Sequence, residues 1–392
     1  MTLLLFPPEI LKLVAGELSD TDLCTFCLVC RKFNSIAQDD QVVWRAKLLR
    51  IYDEPSSKVP GKPYDWKRVY QSRQQIILRG APSMELGAGN LSEEALEVIW
   101  DMLHDARGYK SATKEITGKN FKILDSFKHQ NRTLGLLEGR GNNYALAAAV
   151  NVLTTPLLRL PEEKDLYDLH TMVYSTPAVS FDGYPQFQVI AALAKYFIYH
   201  IHKDSESDML YQRRLMQPNE YPSWWEGKLS DYVGPCHKIP LKWYGAYAYA
   251  QRTIRPQLRD LSDGPLVDVT LSMTSHNEFQ GSGCDIQNFT ITHGKISSTK
   301  PDPTLRYSGA WKHIEFRKSY DSHEWTYEGA MLPGNNMILG HWRRPGTLNS
   351  PENFRGNNGP FFLWAVPEGS TIAGRDDRLG FPRYRGVLPM YP

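Results

Sequence analysis

The sequence predicts an α+β protein in which a short helical unit, an irregular helical layer and an antiparallel β domain follow one another. Two observations support this order. Apolar residues recur at helical spacing through the first half of the 392-residue chain, and after residue 221 they alternate at a spacing of two, which is typical of half-buried strands. A chain of this length is too long for one ordinary core, so we expect more than one domain.

The composition is that of an ordinary globular protein, with 41% hydrophobic and 22% charged residues. A formal net charge of +2 argues against a dedicated nucleic-acid binder. The first residues lack a basic n-region, and the apolar stretches at 144–153 and 189–201 are too short or too charged to span a membrane. We therefore expect no nucleic-acid or membrane partner and a cytoplasmic or nuclear location.

The cysteines form no disulfide framework, because there are five of them in 392 residues. Cys24, Cys27 and Cys30 repeat at intervals that invite a zinc interpretation. On a helix, however, they lie among Leu and Phe, and no fourth ligand follows at zinc-finger spacing. We interpret them as small apolar residues in buried positions and expect neither a metal nor a cofactor.

The first helical unit begins at Pro7, Pro8 and Glu9, since proline suits a first helical turn and a carboxylate suits its positive end. The apolar residues of this helix share one face: Ile10, Leu11, Val14 and Leu18. Ser19 followed by Asp22 is a capping pattern that predicts a second helix. A third can be capped at position 39 or 40 and carries residues 42–44. Three such short helices bury too little surface alone, so the unit is expected to pack on a partner or on the next domain.

The residue order of this unit resembles the F-box, the motif by which substrate receptors attach to the Skp1 adaptor of cullin-RING ubiquitin ligases. The matching positions are Pro7, Glu9, Ile10, Leu11, Leu18, Leu23, Val29, Cys30, Arg31, Phe33 and Trp44. Phe6 departs from the pattern, because the family usually has Leu there. The resemblance implies that residues 1–50 dock on Skp1 and, through it, on cullin and RING subunits. The residues expected to form or support that interface are Pro7, Pro8, Glu9, Ile10, Leu11, Leu18, Leu23, Val29, Phe33 and Trp44.

The middle of the chain is predicted to connect and to space the two ends. Residues 51–90 are assigned as a linker and packing segment, because residues 51–62 are rich in Pro, Ser, Gly and charge. Residues 91–220 are assigned as helical, with a helix capped by Ser92 and further helices at 144–153, 164–174, 187–202 and 208–216. Prolines separate these segments. We interpret the layer as a rigid spacer that holds the C-terminal region at a fixed distance and angle.

Residues 221–366 are predicted to form an antiparallel β domain of about eight strands, closed into a barrel or folded as a sandwich. The alternating runs lie at residues 242–250, 267–273, 276–281, 284–296, 311–318, 323–331, 337–342 and 360–366. A barrel of this size has room inside for one small ligand or a peptide end, unless side chains fill it. Residues 367–392 are rich in Pro, Gly and Arg and are assigned as a tail laid along the barrel.

The closing strands of this domain, at residues 325–329, 338–342 and 359–363, resemble those of calycin-like barrels, in which glycines relieve crowding at strand corners. Some F-box receptors carry such a barrel as their substrate-reading domain, so the resemblance implies that the β domain selects the substrate. For the reading surface we select aromatic and basic residues that we expect to be exposed, because such side chains dominate recognition. They are Trp243, Tyr247, Arg306, Trp325, Trp342 and Arg343.

No catalytic constellation is present in the sequence. His276 and Glu278 supply the H-x-E half of a zinc-deaminase motif without its cysteine half, and neither a nucleophile elbow nor a phosphate loop occurs. We interpret the chain as a non-catalytic substrate-recognition subunit of an SCF-type ubiquitin ligase. Two alternatives stay open. The barrel could bind a small ligand or act as a hydrolase, with the F-box controlling its location or turnover, or the chain could be an F-box scaffold that works without cullin.

Overall fold

The computed structural model describes residues 5–39, 41–55, 64–83, 93–106, 118–130, 149, 170–202, 228–236, 238–248, 266–285, 287–302, 308–346 and 358–370. It confirms the α+β class, with helices first and an antiparallel barrel after them. The predicted helix at 208–216 lies outside the described residues, as do all but one residue of the predicted helix at 144–153 and most of the predicted tail.

Four short helices form the first unit, one more than the sequence predicted. They are α1 (Pro8–Glu17), α2 (Asp20–Val29), α3 (Arg31–Asp39) and α4 (Gln41–Ile51). The predicted cap of α2 is confirmed, because the Asp22 N–H donates to Ser19 Oγ at 3.0 Å. Helix α3 was not predicted from the sequence, because most of its residues are polar. Its two large apolar side chains, Phe33 and Ile36, are buried in the structure. The interpretation of these three cysteines as buried is wrong, because Cys24 is exposed and Cys27 and Cys30 are half-buried.

Five further helices follow in the described part of the chain: α5 (Trp66–Ser83), α6 (Glu93–Asp105), α7 (Lys119–Gln130), α8 (His170–Ser175) and α9 (Phe187–His202). Helix α9 matches the predicted range, and α6 begins directly after the predicted cap. None of the described helices is long and apolar enough to cross a membrane. Two short 3-10 turns also occur. Leu229–Tyr232 precedes the first strand of the β domain, and Ser308–Ala310 precedes its fifth strand.

The β domain is a closed barrel of eight strands, each antiparallel to its neighbours in sequence, with the first paired to the last. This arrangement confirms the barrel and excludes the sandwich, and all of the predicted strands are present with shifted ends. The strands are β1 (Lys242–Tyr247), β2 (Leu266–Met273), β3 (Glu278–Cys284), β4 (Asn288–Ser298), β5 (Lys312–Ser319), β6 (Glu324–Met331), β7 (Met337–Arg343) and β8 (Asn358–Val366).

One apolar cluster fills the inside of the barrel and another covers part of its outer wall. Inward residues such as Ile314, Phe316 and Phe361 pack together inside, because successive strand residues point to opposite faces. The outward residues of β1, β7 and β8 belong instead to the same cluster as the helices: Tyr244, Ala246, Leu339, Phe362, Trp364 and Val366. The helical layer and the barrel wall therefore share one core.

Helix α9 lies between the barrel and the other helices and is apolar on nearly every side. Phe197 packs on Phe362 of β8 with ring centroids 5.7 Å apart. Phe187 meets Trp311, just before β5, edge-on at 5.0 Å, and Trp100 of α6 stacks on the same indole at 5.9 Å. These contacts extend the core from the barrel wall into the helices that precede it.

A buried histidine links α8 to the barrel wall. His341 of β7 lies 2.7 Å from the carbonyl oxygen of Val173, to which its Nε2–H donates. Burial lowers the pKa of His341 to about 4, against the opposing effects of that hydrogen bond and of Glu328. The imidazole is therefore neutral at physiological pH and acts as a hydrogen-bonded part of the core.

Two strands approach each other closely where Gly329 of β6 pairs with Gly340 of β7. A Cβ atom at Gly340 would lie 2.2 Å from the carbonyl oxygen of Glu328 and 2.5 Å from the Cα of Gly329. Both atoms belong to the backbone, so neither can move away without bending the strand. These glycines let the wall curve at this point.

We expect Gly340→Ala to lower the free energy of unfolding by at least about 1–3 kcal/mol, the usual cost of overpacking. Gly369→Ala is the matched control, because a Cβ there would meet no atom within 4 Å. Urea denaturation of both variants checks this expectation. Equal stabilities for the two would contradict the close approach of β6 and β7.

Candidate functional site

The first helical unit exposes many large apolar side chains, which together we call the docking face. Its members are Leu5, Phe6, Ile10, Leu13, Val14, Leu28, Val29 and Val42, all at least 37% exposed. They come from α1, the segment before it, the end of α2 and the start of α4. Large exposed apolar surfaces are typical of interaction sites, so this set of side chains is the first candidate surface.

Helix α1 carries both buried and exposed apolar residues, and the sequence pattern did not distinguish the two groups. Leu11 and Ala15 are completely buried against the rest of the unit, whereas Ile10, Leu13 and Val14 lie outward. The four residues predicted to share one face therefore differ in burial, since Leu11 is buried, Leu18 is half-buried, and Ile10 and Val14 are exposed. Leu11 supports the docking face from behind, and Ile10 and Val14 belong to it.

The other residues predicted for the interface divide in the same way. Pro7, Pro8, Glu9 and Val29 are exposed, while Leu18 is half-buried. Leu23, Phe33 and Trp44 are buried and hold the helices together. Phe33 stacks on Phe26 with centroids 4.2 Å apart, and Trp44 Nε1 donates to the Ala37 carbonyl at 2.7 Å. Their role in binding an adaptor stays a prediction.

A buried lysine fixes the turn between α1 and α2. The fully buried Lys47 lies 2.8 Å from the carbonyl oxygen of Leu18 and 2.8 Å from Asp20 Oδ1. The Tyr70 hydroxyl of α5 donates to the same carboxylate at 2.8 Å. Burial and then this hydrogen bond raise the pKa of Tyr70, so the phenol stays protonated and keeps donating. The docking face is thus held in a fixed shape by α4 and α5.

The second candidate surface is the barrel mouth, the end at which β1, β3, β5 and β7 finish. Lys318 of β5 points inward there and lies 2.5 Å from Asp285 Oδ2, and both side chains are nearly fully buried. Four aromatic rings surround the ammonium group, with centroids 4.3 to 5.9 Å from Nζ: Phe289, Tyr247, Tyr320 and Tyr327. Cation–π contacts and the ion pair together compensate the buried charge.

The charge state of Asp285 follows from opposing effects. Burial by itself raises the pKa of this carboxyl. The Lys318 ammonium and hydrogen bonds from Lys318, Tyr320 and the Gln287 N–H outweigh it, so the pKa of Asp285 is lowered overall. At physiological pH the pair is therefore ionised, and it ties the end of β3 to the end of β5.

A row of aromatic side chains leads from the surface of the mouth into the barrel. His323 is exposed and lies 5.8 Å from the half-buried Trp325. Trp325 meets the buried Trp342 edge-on at 5.1 Å, and Trp342 meets Tyr247 at 6.1 Å. The outer end of this row is available to a partner, and its inner end is not.

The expectation that the selected barrel residues are exposed is wrong for three of them, because Trp243, Tyr247 and Trp342 are buried inside the barrel. Trp325 is half-buried at the mouth, and Arg343 bonds Glu328 at 3.1 Å on the outer wall. Arg306 lies outside the described residues. Sequence reasoning missed His323, although it stands two residues before Trp325 at strand spacing. Whether any of these residues binds a substrate stays a prediction.

Within the described ranges, no group of three or more His, Cys, Asp or Glu side chains is placed to hold a metal ion.

Comparison with known families gives one match, which covers residues 3–50 and is described as F-box-like. The match confirms the resemblance of the N-terminal unit, and its range contains the whole docking face and buried residues behind it such as Leu11 and Phe33. F-box domains are typical of non-catalytic receptor and adaptor subunits. No curated protein and no solved structure matches the chain.

We expect Asp285→Asn to destabilise the protein by about 3–5 kcal/mol at pH 7, because it leaves the Lys318 charge buried without its partner. The pKa of Asp285 is lower in the folded protein than in the unfolded chain, where it is about 3.9. Ionised Asp285 therefore stabilises the fold at pH values above about 3.9, and this stabilisation is lost as the pH falls through the folded-state pKa. The difference between parent and variant should therefore shrink between pH 5 and pH 3. Urea denaturation across that range measures it, and a difference independent of pH would contradict the ion pair.

Proposed function

We propose that this F-box protein is the substrate-recognition subunit of an SCF-type cullin-RING ubiquitin ligase, working in the cytoplasm or the nucleus. The docking face binds the Skp1 adaptor, and the adaptor joins the chain to cullin and RING subunits. The barrel binds the substrate. The single observation that carries this proposal is that the range matching an F-box contains eight large apolar side chains that are at least 37% exposed.

The size of the docking face supports a stable complex. Full burial of a Val, Leu, Ile or Phe side chain contributes about 1.5–3 kcal/mol. Partial burial of the eight side chains of the docking face therefore offers a gain of the same order as the cost of losing translational and rotational freedom on association, about 4–15 kcal/mol. The fixed turn at Lys47 further favours binding, since the face needs no reordering when the adaptor arrives.

The proposed contribution of this chain to ubiquitin transfer is proximity. A substrate held on the barrel meets the charged conjugating enzyme at a high effective concentration. Bond formation belongs to the other subunits, so we assign no catalytic residue to this chain.

The barrel mouth supports reading of a protein surface better than capture of a small apolar ligand. Apolar side chains pack together in the interior, and the Lys318–Asp285 pair lies buried near the mouth. The exposed His323 and the half-buried Trp325 offer an aromatic rim, which is the kind of side chain that dominates protein interfaces. This favours the receptor over the ligand-binding alternative.

The shared core supports the interpretation of the helical layer as a rigid spacer. The docking unit and the barrel wall contribute to one apolar cluster that includes α9. In this proposal the cluster sets the distance between the adaptor and the bound substrate.

The docking face is tested by Ile10→Glu together with Val29→Lys. Glu suits the first turn of α1 and Lys suits the last turn of α2, so the helices keep their favourable dipole interactions. Both charges would have to be buried on binding, so we expect the affinity for Skp1 to fall at least about 100-fold, an amount equal to roughly 2.7 kcal/mol. Isothermal titration calorimetry measures it.

The matched control is Phe181→Glu together with Leu241→Lys. It places the same charges on exposed apolar residues outside the docking face, at the end of the barrel opposite the mouth. This variant should bind Skp1 like the parent. Undiminished affinity in the Ile10→Glu and Val29→Lys variant would sink the assignment of the docking face.

The mouth is tested by His323→Ala together with Trp325→Ala in cells whose proteasome is blocked. We expect quantitative affinity mass spectrometry to recover fewer substrate proteins with this variant, while the amount of Skp1 stays the same. Phe181→Ala together with Tyr184→Ala, at the opposite end, serves as the control. Recovery of an unchanged set of proteins would place the substrate site elsewhere.

A further inference from the structure

We propose that four buried polar residues, Asp53, Arg73, Asp105 and Asn120, are positioning residues that fix the direction of the barrel relative to the bound adaptor. We call them the polar joint. This inference rests on the proposed receptor function and deepens it, because it assigns the residues that set where ubiquitin is delivered.

The first half of the polar joint is an ion pair between two helices. Arg73 of α5 bonds Asp105 at the end of α6, and both side chains are almost completely buried, at 2% and 4% exposure. The Arg73 guanidinium also lies 5.3 Å from the ring centroid of Tyr52, directly after α4. A single side chain thus joins α5, α6 and the end of the docking unit.

The second half is a reciprocal arrangement of Asp53 and Asn120. The Asp53 carboxylate accepts from the backbone N–H groups of Lys119 and Asn120 at 3.2 and 3.0 Å, which caps the start of α7. The Asn120 side chain accepts from the Asp53 N–H at 3.1 Å and donates to the Met102 carbonyl of α6 at 2.8 Å. The chain that leaves α4 is therefore bonded to α7, and Asn120 of α7 is bonded in turn to α6.

Each end of the polar joint reaches one of the two functional surfaces. On the docking side, Tyr52 packs edge-on against Tyr70 at 6.3 Å, and Tyr70 bonds Asp20 beside Lys47. On the barrel side, α6 carries Trp100, which stacks on Trp311. Side-chain contacts therefore lead from the turn behind the docking face to Asp105. Helix α6 itself connects Asp105 to Trp100, which packs on Trp311 just before β5.

The chemistry of the polar joint suits a geometric role better than a stabilising one. A buried ion pair contributes little net stability, because removal of two charges from water offsets their attraction, and well-packed apolar residues do as well or better. Hydrogen bonds differ from apolar contacts in being directional. Apolar contacts alone would let α5 slide on α6, whereas the Arg73–Asp105 pair holds one relative placement.

The first test measures geometry in the full-length chain. Nitroxide labels are attached through a ketone-bearing amino acid at Thr21 of α2 and Ser297 of β4, two exposed positions, so the native cysteines stay untouched. Electron–electron resonance then gives the distribution of distances between docking unit and barrel. We expect one narrow distance distribution for the parent. For Arg73→Met together with Asp105→Leu we expect the distribution to be at least about twofold wider, because apolar side chains fill the joint but make no directional ion pair.

Two further variants make the geometric result decisive. Asn120→Ala removes the side-chain hydrogen bonds to Asp53 and Met102 and leaves the Arg73–Asp105 pair intact. It should also broaden the distribution of distances. Arg45→Met together with Glu54→Leu is the matched control. It removes a neighbouring ion pair whose two side chains are each about half exposed, so the pair does not belong to the buried joint. It should leave the width unchanged. Narrow distributions in folded variants of both halves would overturn the proposal.

The second test measures ubiquitin transfer in a reconstituted complex with Skp1, cullin, RING subunit and charged conjugating enzyme. The acceptors are the lysines of this chain itself, so no substrate needs to be known. We expect the parent to receive ubiquitin on a few barrel lysines, and the Arg73→Met and Asp105→Leu variant to spread it over more positions at a rate at least about threefold lower. Its affinity for Skp1 should stay within about twofold of the parent.

The outcomes separate this inference from the proposed function. A parent chain that does not bind Skp1 refutes the receptor itself. A parent that binds, with a variant whose modified lysines and transfer rate are unchanged, overturns the positioning role and leaves the receptor standing.

Discussion

The packing of α9 against the outer wall of the barrel is the contact on which the rest of the structure depends. This helix is apolar on nearly every side, so it is stable only when it is covered all round. The outward aromatic residues of β8, Phe362 and Trp364, need cover as well. Each element therefore hides the apolar surface of the other, and the barrel cannot move as a separate body on a flexible tether. A receptor that has to hold a substrate at a fixed distance from an enzyme gains this property directly from its core.

Apolar burial and buried polar groups contribute differently along the path between the two surfaces. The apolar cluster supplies most of the driving force for folding and holds the barrel against the helices. Ion pairs with at least one buried side chain add contacts that are more directional. Lys47 and Asp20 fix the turn behind the docking face, Arg73 and Asp105 fix α5 on α6, and Lys318 and Asp285 join two strands at the barrel mouth. The same arrangement thus recurs at both ends and in the middle of the molecule.

Much of this fold could be predicted from the sequence, because periodicity and caps are local. The eight strands, helix α9 and the Ser19 cap all follow from spacing within a few residues. The side of a strand that faces inward could not be predicted where both sides are apolar, as in β1 and β7, whose outer faces are covered by helices. That is why Trp243, Tyr247 and Trp342 were expected at the surface. The pairing of Lys318 with Asp285 was equally hidden, since it joins residues that only the closed barrel brings together.

In the proposed function, adaptor binding and substrate binding reside on one rigid chain, so a bound protein is degraded only while the docking face is intact. The half-life of the bound proteins tests this, measured by pulse-labelled proteomics in cells whose only copy of this protein carries Ile10→Glu and Val29→Lys. We expect proteins held by the barrel to stay bound to the variant and to live longer, as we also expect when the protein is deleted. Bound proteins with unchanged half-lives in both kinds of cell would contradict it.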